Sequence, residues 1–484
     1  MPFPSYREEI ARYIGVVTKM IARSCAGAAI ALLALAVEAQ TASDLSAELR
    51  GRIDSVAREV LASTGVPSAS IAIVKDGKIA YVQAYGDARL SPRTPARPEM
   101  RYSVGSISKQ FTATGILMLA EEGKLSLDDL VARFLPDLTR AGDVRIRQLL
   151  SHTSGYQDYW PQDYVPPFMK GEVTARDILD RWAKKPLDFE PGTQYQYSNT
   201  GYVIAGAVLE KASGQSLLPF LSARIFTPLH MDGVVDVDQG RLAQTDPTGY
   251  LRYALGPLRV APKEGKGWLF AAGELAMTAQ DLAKWNVAMI ERRLLKPASY
   301  QEMQTAVLLK NGLSAGYGLG LEVMRRADHR ALVHGGEVSG FTSENVVFPD
   351  DAAAITVLVN ADATGASGEI SRRIAPLLFE KRDAAAASEA RARKILEDLQ
   401  RGRIDRSLFT ANANSYFTEE AVSDFARSLG PLAAPTAVHQ TRQNDRGGMT
   451  FRLFEVSFPG KTVEIWERDM PDGAIEQFQV NTSP

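Results

Sequence analysis

The chain has 484 residues, of which 45% are hydrophobic and 23% are charged, and this composition is typical of a globular protein with a sizeable core. Its 55 basic and 57 acidic side chains nearly balance, which argues against nucleic acid or acidic lipid as a partner and leaves small molecules and peptides open. A single cysteine excludes an intramolecular disulfide and a thiolate metal cluster, and no two histidines stand at metal-ligand helix spacing, so we expect neither a metal nor a cofactor. The sequence leaves the oligomeric state open.

Residues 1–39 have the pattern of a secretory signal peptide. A basic segment precedes an apolar run at 26–36, and small residues follow up to Ala39. The run is shorter than the roughly 20 residues that a transmembrane helix needs, so we expect cleavage after Ala39, no stable membrane span, and a periplasmic or secreted protein. An uncleaved anchor is the alternative, and translation could start at Met1 or at Met20.

The segment after the leader predicts a helix, a hairpin and a second helix. Apolar residues recur at helical spacing from Asp44 to Thr64, which indicates an amphipathic helix on one face of a sheet. Two strand-like runs at 69–74 and 78–85 flank Asp76-Gly77, a dipeptide that strongly favours a β-hairpin. A run that is apolar on nearly all sides, from Ser106 to Glu122, predicts a buried central helix.

From about residue 125 to 310 the pattern predicts mainly helices with long irregular connections. Strand patterns then return at 317–324, 331–334, 344–348 and 354–359, and a closing helix is predicted at 370–379. Strands at both ends with helices between them predict an α/β (α+β) fold, in which an antiparallel sheet assembled from both ends is flanked by helices and carries a helical insertion. We expect a cleft where the sheet meets the insertion.

A smaller unit is predicted beyond the Ala-rich stretch 383–390. It comprises a helix to about Arg401 and strands at 449–458, 462–468 and 474–480. We therefore divide the chain, after its leader, into a domain of residues 40–385 and an α+β accessory domain of residues 386–484. The catalytic motifs described next all lie in the first domain.

Ser106-Ile107-Ser108-Lys109 stands at the start of the predicted central helix. A serine there lies beside unpaired backbone N–H groups and the positive end of the helix dipole, where an oxyanion is stabilised. Lys109 follows three residues later, on the same helix face, and desolvation would let its ammonium lose a proton and serve as the base for the serine. The pattern alone is weak evidence, because chance produces it roughly once or twice in a chain of this length.

Two further motifs supply the partners that the serine needs. In Tyr197-Ser198-Asn199, a tyrosine near a lysine ammonium has a lowered hydroxyl pKa and can take the serine proton, while the asparagine offers a donor to a substrate carbonyl. In His334-Gly335-Gly336, the glycines let a strand edge approach a ligand closely. The N–H groups of Glu337 and Ser106 could then bind the developing oxyanion, with His334 facing the same cleft.

In this order the motifs resemble those of the serine β-lactamase and penicillin-binding protein superfamily, on the side of the class C β-lactamases, D-aminopeptidases and carboxylesterases. The resemblance extends over about residues 50–380. It includes 123–129 and 149–155, which look like structural signatures of that superfamily.

The resemblance implies a role for each motif. Ser106 is then the acylated nucleophile, Lys109 and Tyr197 share the acid and base work, Asn199 positions substrate, and residues 334–336 form the third wall of the cleft. Class C β-lactamases have Lys-Thr-Gly where this chain has His-Gly-Gly, which argues against efficient β-lactam hydrolysis. The implied activity is that of a serine hydrolase for an ester, a D-residue peptide or an amide. The alternative is a sensor that is acylated without turnover.

The motifs leave the roles of several other residues open. Four aromatic residues of one loop either line the cleft or pack beneath the loop: Tyr156, Tyr159, Trp160 and Tyr164. His152 is expected to bond the backbone of a turn. Residues 312–316 fit the Gly-x-Ser-x-Gly pattern of a nucleophile elbow, but a polar helix end precedes them and a glycine-rich strand follows, so we reject Ser314 as the nucleophile.

Overall fold

The computed structural model describes residues 45–162, 164–240, 242–362, 364–379, 382–470 and 473–482, with only the backbone at 382–387 and 446. The predicted signal peptide and its cleavage site lie outside these residues. The chain divides into two compact units between residues 379 and 380, a few residues before the boundary predicted near 385. No helix in the described part of the chain is long and apolar enough to cross a membrane.

The elements of the first unit follow the predicted order of strands, helices and strands. Its strands are β1 (Ser68–Lys75), β2 (Lys78–Leu90), β3 (Arg93–Pro95), β4 (Tyr102–Ser103), β5 (Val235–Asp236), β6 (Tyr250–Arg252), β7 (Leu258–Val260), β8 (Leu275–Met277), β9 (Glu322–Arg326), β10 (His329–Val338), β11 (Phe341–Phe348) and β12 (Ala353–Val359). Its α-helices are α1 (Ala47–Thr64), α2 (Ser108–Glu121), α3 (Ile146–Leu150), α4 (Ala175–Ile178), α5 (Asn199–Ser213), α6 (Leu217–Leu221), α7 (Phe270–Gly273), α8 (Ala279–Glu291), α9 (Pro297–Met303) and α10 (Ala366–Phe379).

Seven of the described strands form one antiparallel sheet in the order β3-β2-β1-β12-β11-β10-β9. The first and last parts of the unit meet at its centre, where Ala69 pairs with Val359. The sheet buries both faces, one against α1 and α10 and the other against the helical insertion. Strands β1 and β12 are accordingly buried along nearly their whole length, with no alternation of buried and exposed residues. The predicted α/β (α+β) fold is confirmed.

Helix α2 is the buried central helix that its composition predicts. Residues 108–119 are all buried, which explains the lack of a polar face. It packs against α5 and α7 of the insertion, and a 3₁₀ turn at Gly105–Ile107 precedes it. The turn is held against β10 and β11, so the start of the helix lies beside the edge of the main sheet.

The second unit contains a sheet whose strands pair antiparallel in chain order: β13 (Ala437–Arg446), β14 (Met449–Phe458), β15 (Lys461–Asp469) and β16 (Ile475–Thr482). Its α-helices are α11 (Arg382–Gln400), α12 (Ala411–Tyr416) and α13 (Glu419–Leu429). Arg391 of α11 reaches the buried carboxylates of Glu467 and Asp469 on β15, which ties the helix to the sheet. The Ala-rich stretch thus belongs to a helix.

Two strands differ from the pattern of the sequence. Strand β13 is a polar strand at the edge of the second sheet, and its sequence therefore has no apolar alternation to reveal it. Strand β9 begins at Glu322 rather than at Tyr317, because residues 317–321 form an irregular, glycine-rich approach to the sheet. The His-Gly-Gly motif lies inside β10, not at its end.

Candidate active site

Ser106 lies in the middle of the 3₁₀ turn before α2 and is partly exposed, whereas Lys109 one turn later is fully buried. Gly105 has φ +53°, and a Cβ there would stand 2.9 Å from the backbone nitrogen of Glu337. A Cβ on Gly336 would stand 2.0 Å from the carbonyl oxygen of Val104. Both positions therefore need glycine, because the turn and strand β10 touch backbone to backbone.

The edge of strand β10 faces this turn. Strand β9 pairs with β10 only as far as Val333, while β11 pairs with it to Val338. The backbone from Gly335 to Glu337 is therefore a sheet edge beside Ser106, and the side chain of Ser343 donates to the Val104 carbonyl at 2.9 Å across the same contact. This arrangement suits the predicted oxyanion site, in which the N–H groups of Ser106 and Glu337 act together.

The amine of Lys109 is surrounded by three oxygen atoms. Its Nζ lies 2.9 Å from Oγ of Ser106, 2.8 Å from Oδ1 of Asn199 and 2.8 Å from the carbonyl oxygen of Ala272. Burial lowers the pKa of Lys109 to about 7, against a smaller opposing effect of the carboxylate of Asp158. About half of the Lys109 side chains are thus neutral at pH 7 and able to accept the proton of Ser106.

Tyr197 contacts both members of the first motif. Its hydroxyl lies beside Ser106, and its ring centroid lies 4.9 Å from Nζ of Lys109. Burial raises the pKa of Tyr197 well above its ordinary value, and the neighbouring hydroxyl of Ser106 lowers it only partly. The expectation of a lowered tyrosine pKa is wrong, because desolvation opposes the phenolate as strongly as it opposes the ammonium. The amine of Lys109 can therefore accept a proton near pH 7, whereas the protonated hydroxyl of Tyr197 can donate one.

Asn199 is the first residue of α5, and its neighbour Ser198 caps that helix by accepting from the N–H of Gly201 at 3.2 Å. The side chain of Asn199 lines the cavity, but both ends of its amide contact protein groups. Oδ1 faces Lys109, and Nδ2 donates to Oδ2 of Asp158 at 3.3 Å. Sequence reasoning missed Asp158, whose only signal was a carboxylate in the aromatic loop that follows His152.

His334 faces the site as expected, but in a fixed neutral form. Its Nδ1 donates to the carbonyl oxygen of Gly335, 2.5 Å away, since a carbonyl can only accept. Nε2 then accepts from the hydroxyl of Tyr317 at 2.8 Å. Burial, with a smaller effect of the charge on Lys109, lowers the pKa of His334 to about 3. The histidine therefore stays uncharged throughout the physiological range.

His152 packs against the Tyr197-Ser198-Asn199 motif. It is buried in a turn with φ +56°, and its Nδ1 accepts from the N–H of Ser198 at 3.1 Å. Its ring packs against that of Tyr197 at an interplanar angle of 31°, with centroids 4.1 Å apart. The predicted role in a turn is thus combined with a second one, which is to fix the backbone and ring of the tyrosine motif.

A cavity of about 990 Å³ connects these groups to solvent. Every residue predicted for the site lines it except the buried Lys109: Ser106, Tyr197, Asn199, His334, Gly335, Gly336 and Glu337. Tyr159, Trp160 and Tyr164 of the aromatic loop also line it, together with Tyr253 after strand β6. Tyr156 instead packs below the loop and donates to the Thr139 carbonyl at 2.9 Å.

Ser314 lacks the surroundings of a nucleophile. It is exposed on an irregular segment, with neither a strand before it nor a helix after it, and its Oγ accepts from the N–H of Gly316 at 3.1 Å. In the part of the chain that the structure describes, no group of three or more His, Cys, Asp or Glu side chains could hold a metal ion.

Comparisons with known proteins agree with this geometry. The family model described as Beta-lactamase matches residues 53–378, which is most of the first unit. Penicillin-binding protein 4* of Bacillus subtilis (strain 168) is 29% identical over 308 residues, covering 60% of this chain and 68% of that protein. The D-aminopeptidase of Brucella anthropi is 28% identical over 312 residues, covering 64% of this chain and 58% of that protein.

A solved structure with the same fold is that of D-amino acid amidase from Ochrobactrum anthropi SV3 complexed with L-phenylalanine amide. It superposes with a TM-score of 0.61 at 25% identity and covers 69% of this chain and all of the amidase. The chain therefore matches the whole of the amidase, but under two thirds of the length of the D-aminopeptidase.

Proposed function

Because the chain belongs to the beta-lactamase family, we propose that it is a serine hydrolase that works through an acyl-enzyme formed on Ser106. The observation that carries the proposal is the distance of 2.9 Å between Oγ of Ser106 and the buried Nζ of Lys109. A neutral amine at this distance can take the hydroxyl proton as the oxygen attacks a carbonyl carbon.

The first half of the reaction forms the acyl-enzyme. Oγ of Ser106 bonds to the substrate carbonyl carbon while its proton moves to Nζ of Lys109. The carbonyl oxygen becomes an oxyanion, which the N–H groups of Ser106 and Glu337 stabilise. Collapse of this intermediate breaks the bond to the leaving group. The leaving group takes a proton from Tyr197, and the resulting phenolate takes the proton that Lys109 received from Ser106, so that both groups return to their starting forms.

The second half of the reaction releases the acyl group. Water attacks the ester carbon and gives a proton to the neutral Lys109, and the ester bond to Ser106 breaks as its oxygen regains a proton. The same N–H groups stabilise the second oxyanion. The catalytic groups are then back in their resting protonation states.

The substrates that we propose are esters, amides or peptides with a D-residue, whose acyl side carries no required negative charge. The third wall of the cleft carries a neutral histidine at position 334, whose N–H donates to the Gly335 carbonyl and whose Nε2 accepts from Tyr317, so a substrate carboxylate would find no ion pair there. Aromatic side chains that also line the cavity, including Trp160 and Tyr253, suit an apolar substituent. The names of the relatives, a D-aminopeptidase and a D-amino acid amidase, support the amide and peptide classes.

We also propose that the protein acts outside the cytoplasm, in the periplasm or after secretion. The support is the basic and apolar leader pattern of residues 1–39. Amino-terminal sequencing of the protein purified from its own cells tests this, and a chain beginning after Ala39 is the expected result.

A chromogenic ester assay tests the hydrolase proposal. Wild type should release chromophore in a burst followed by steady turnover, and Ser106→Ala should do neither. A burst equal to the enzyme concentration without later turnover would identify a sensor rather than a hydrolase. Steady turnover by Ser106→Ala at the wild-type rate would contradict the assignment of the nucleophile.

A further inference from the structure

The carboxylate of Asp158 lies beside the catalytic groups, on the loop that follows α3. Its Oδ1 accepts from the N–H groups of Trp160 and Asn199, each at 3.1 Å, and its Oδ2 accepts from Nδ2 of Asn199 at 3.3 Å. Burial raises the pKa of Asp158, and the three donors together with the charge of Lys109 oppose that rise. Three donors and no acceptor suit the ionised form of the carboxylate, which can only accept.

This contact determines which way the amide of Asn199 points. An asparagine side chain has one donating end and one accepting end. Because Asp158 only accepts, Nδ2 must face it, and Oδ1 must therefore face Nζ of Lys109 at 2.8 Å.

The direction of the amide in turn fixes the lone pair of Lys109. A neutral amine has two protons and one lone pair, and Nζ has three oxygen neighbours. Two of them, Oδ1 of Asn199 and the carbonyl of Ala272, can only accept, so they take the two protons. The lone pair is left for the hydroxyl of Ser106, which is the one neighbour able to donate.

We propose that Asp158 is a positioning residue that aims the base: it holds the amide of Asn199 so that the lone pair of Lys109 can point only at Ser106. The expected effect on the reaction rate rests on the proposed function, whereas the orientation of the Asn199 amide and of the Lys109 lone pair does not. With the amide reversed, Nδ2 would donate to the lone pair and compete with Ser106 for it. Asp158 also favours the protonated form of Lys109 through its charge.

Other groups face Lys109 and enter any account of its titration. They lie on the turn before α2, on α5 and the segment before it, and on the elements that carry the histidines: Ser106, Tyr197, Tyr202, His152 and His334. Burial keeps both histidines neutral and the tyrosines protonated near pH 7. Removing the negative charge of Asp158 should therefore change the pKa of Lys109.

The test of the inference is a titration of Lys109 in the full chain with isotope-labelled lysine, observed by NMR and assigned with Lys109→Arg. In Asp158→Asn the loss of negative charge should move the titration of Lys109 to lower pH. Asp188→Asn is the matched control, since Asp188 accepts from Nε2 of Gln196 at 2.6 Å and does not contact Asn199. An unchanged titration in Asp158→Asn would show that Asp158 carries no charge beside Lys109, which removes the premise that it can only accept and overturns the inference. Asp158→Ser serves if Asp158→Asn does not fold.

Kinetics test the aiming itself. An asparagine at position 158 accepts either orientation of the neighbouring amide, so kcat/KM should fall on the order of tenfold or more at the pH plateau. In an Asn199→Ala background no amide remains to be aimed, and the same substitution should cost much less. A loss that is equally large in both backgrounds would show that Asp158 does not act through Asn199.

The two proposals can fail separately. A wild-type chain that no ester or acylating probe modifies at Ser106 contradicts the hydrolase, while the NMR titration still decides whether Asp158 controls Lys109. A chain that is acylated normally, and whose Lys109 titrates identically with and without Asp158, contradicts only the second proposal.

Discussion

The pH dependence of acylation should report the titration of Lys109. A free lysine with a pKa of 10.5 would be deprotonated in only about three molecules in ten thousand at pH 7, whereas a pKa of about 7 leaves about half of the molecules deprotonated. Burial thus increases the amount of available base by roughly a thousandfold at neutral pH. Below pH 7 the neutral fraction falls to about one tenth at pH 6 and about one hundredth at pH 5.

The assay is kcat/KM for an uncharged ester measured from pH 5 to pH 10. Since the base must be neutral, activity should fall about tenfold for each unit below pH 7 and should level off above it. Lys109→Met should remove this limb and lower the plateau by roughly 10²- to 10⁴-fold, the usual contribution of a general base. An uncharged substrate is used so that its own titration does not enter.

His334→Gln is the control that shows whether His334 causes the fall in activity below pH 7. Histidine is the side chain whose ordinary pKa lies closest to 7, but burial lowers the pKa of His334 to about 3. The glutamine variant can therefore change the plateau while the midpoint of the limb stays near pH 7. A limb that disappears in His334→Gln, or a wild-type midpoint near pH 10, would refute the reasoning.

Four further expectations follow from the site. A fluorophosphonate probe should label wild type and Ser314→Ala equally and should not label Ser106→Ala, and a modified peptide that contains residue 314 would contradict the assignment. Tyr197→Phe should slow the hydrolysis of an amide more than that of an ester with a good leaving group, because only the amide needs a donated proton. Equal losses for the two substrates would show that Tyr197 is not the proton donor. KM for a carboxylate-bearing substrate should follow the same pH profile in wild type and in His334→Gln, because His334 is neutral from pH 5 to pH 9; an inflection near pH 6.5 that disappears in His334→Gln would show that it titrates after all. A fragment ending at residue 379 should retain acylation, because every proposed catalytic group precedes that residue, and a folded fragment that binds substrate without being acylated would place part of the site in the second unit.

The features that the sequence predicted are those that depend on the spacing of neighbouring residues. A serine and a lysine three residues apart at a helix start must share a face, and a long apolar run must be buried, so the first motif and α2 followed directly. Alternating or fully apolar runs likewise revealed the strands of the main sheet except the short β3. The polar edge strand β13 carried no such pattern and was missed.

The sequence could not predict contacts between distant parts of the chain or the pKa shifts that burial causes. Asp158 meets Asn199 across 41 positions of chain, and no spacing rule connects a loop carboxylate with the start of a helix so far away. The pKa values of Tyr197 and His334 depend on how much water reaches them, and this is set by side chains from several elements. The predicted sign for the tyrosine was wrong because proximity to a lysine was considered without burial.

Burial by itself would keep Lys109 neutral and available as a base, but it would also make Lys109 a poor proton acceptor during the reaction. The desolvation that keeps the amine neutral at rest also opposes the ammonium that must form when Ser106 gives up its proton. Asp158 acts in the opposite direction, since its negative charge stabilises that ammonium from behind Asn199 without bonding to it directly. A direct ion pair would instead hold Lys109 protonated at pH 7 and remove the base. Placing one amide between the carboxylate and the amine therefore reconciles a base that is neutral at rest with one that accepts a proton during attack.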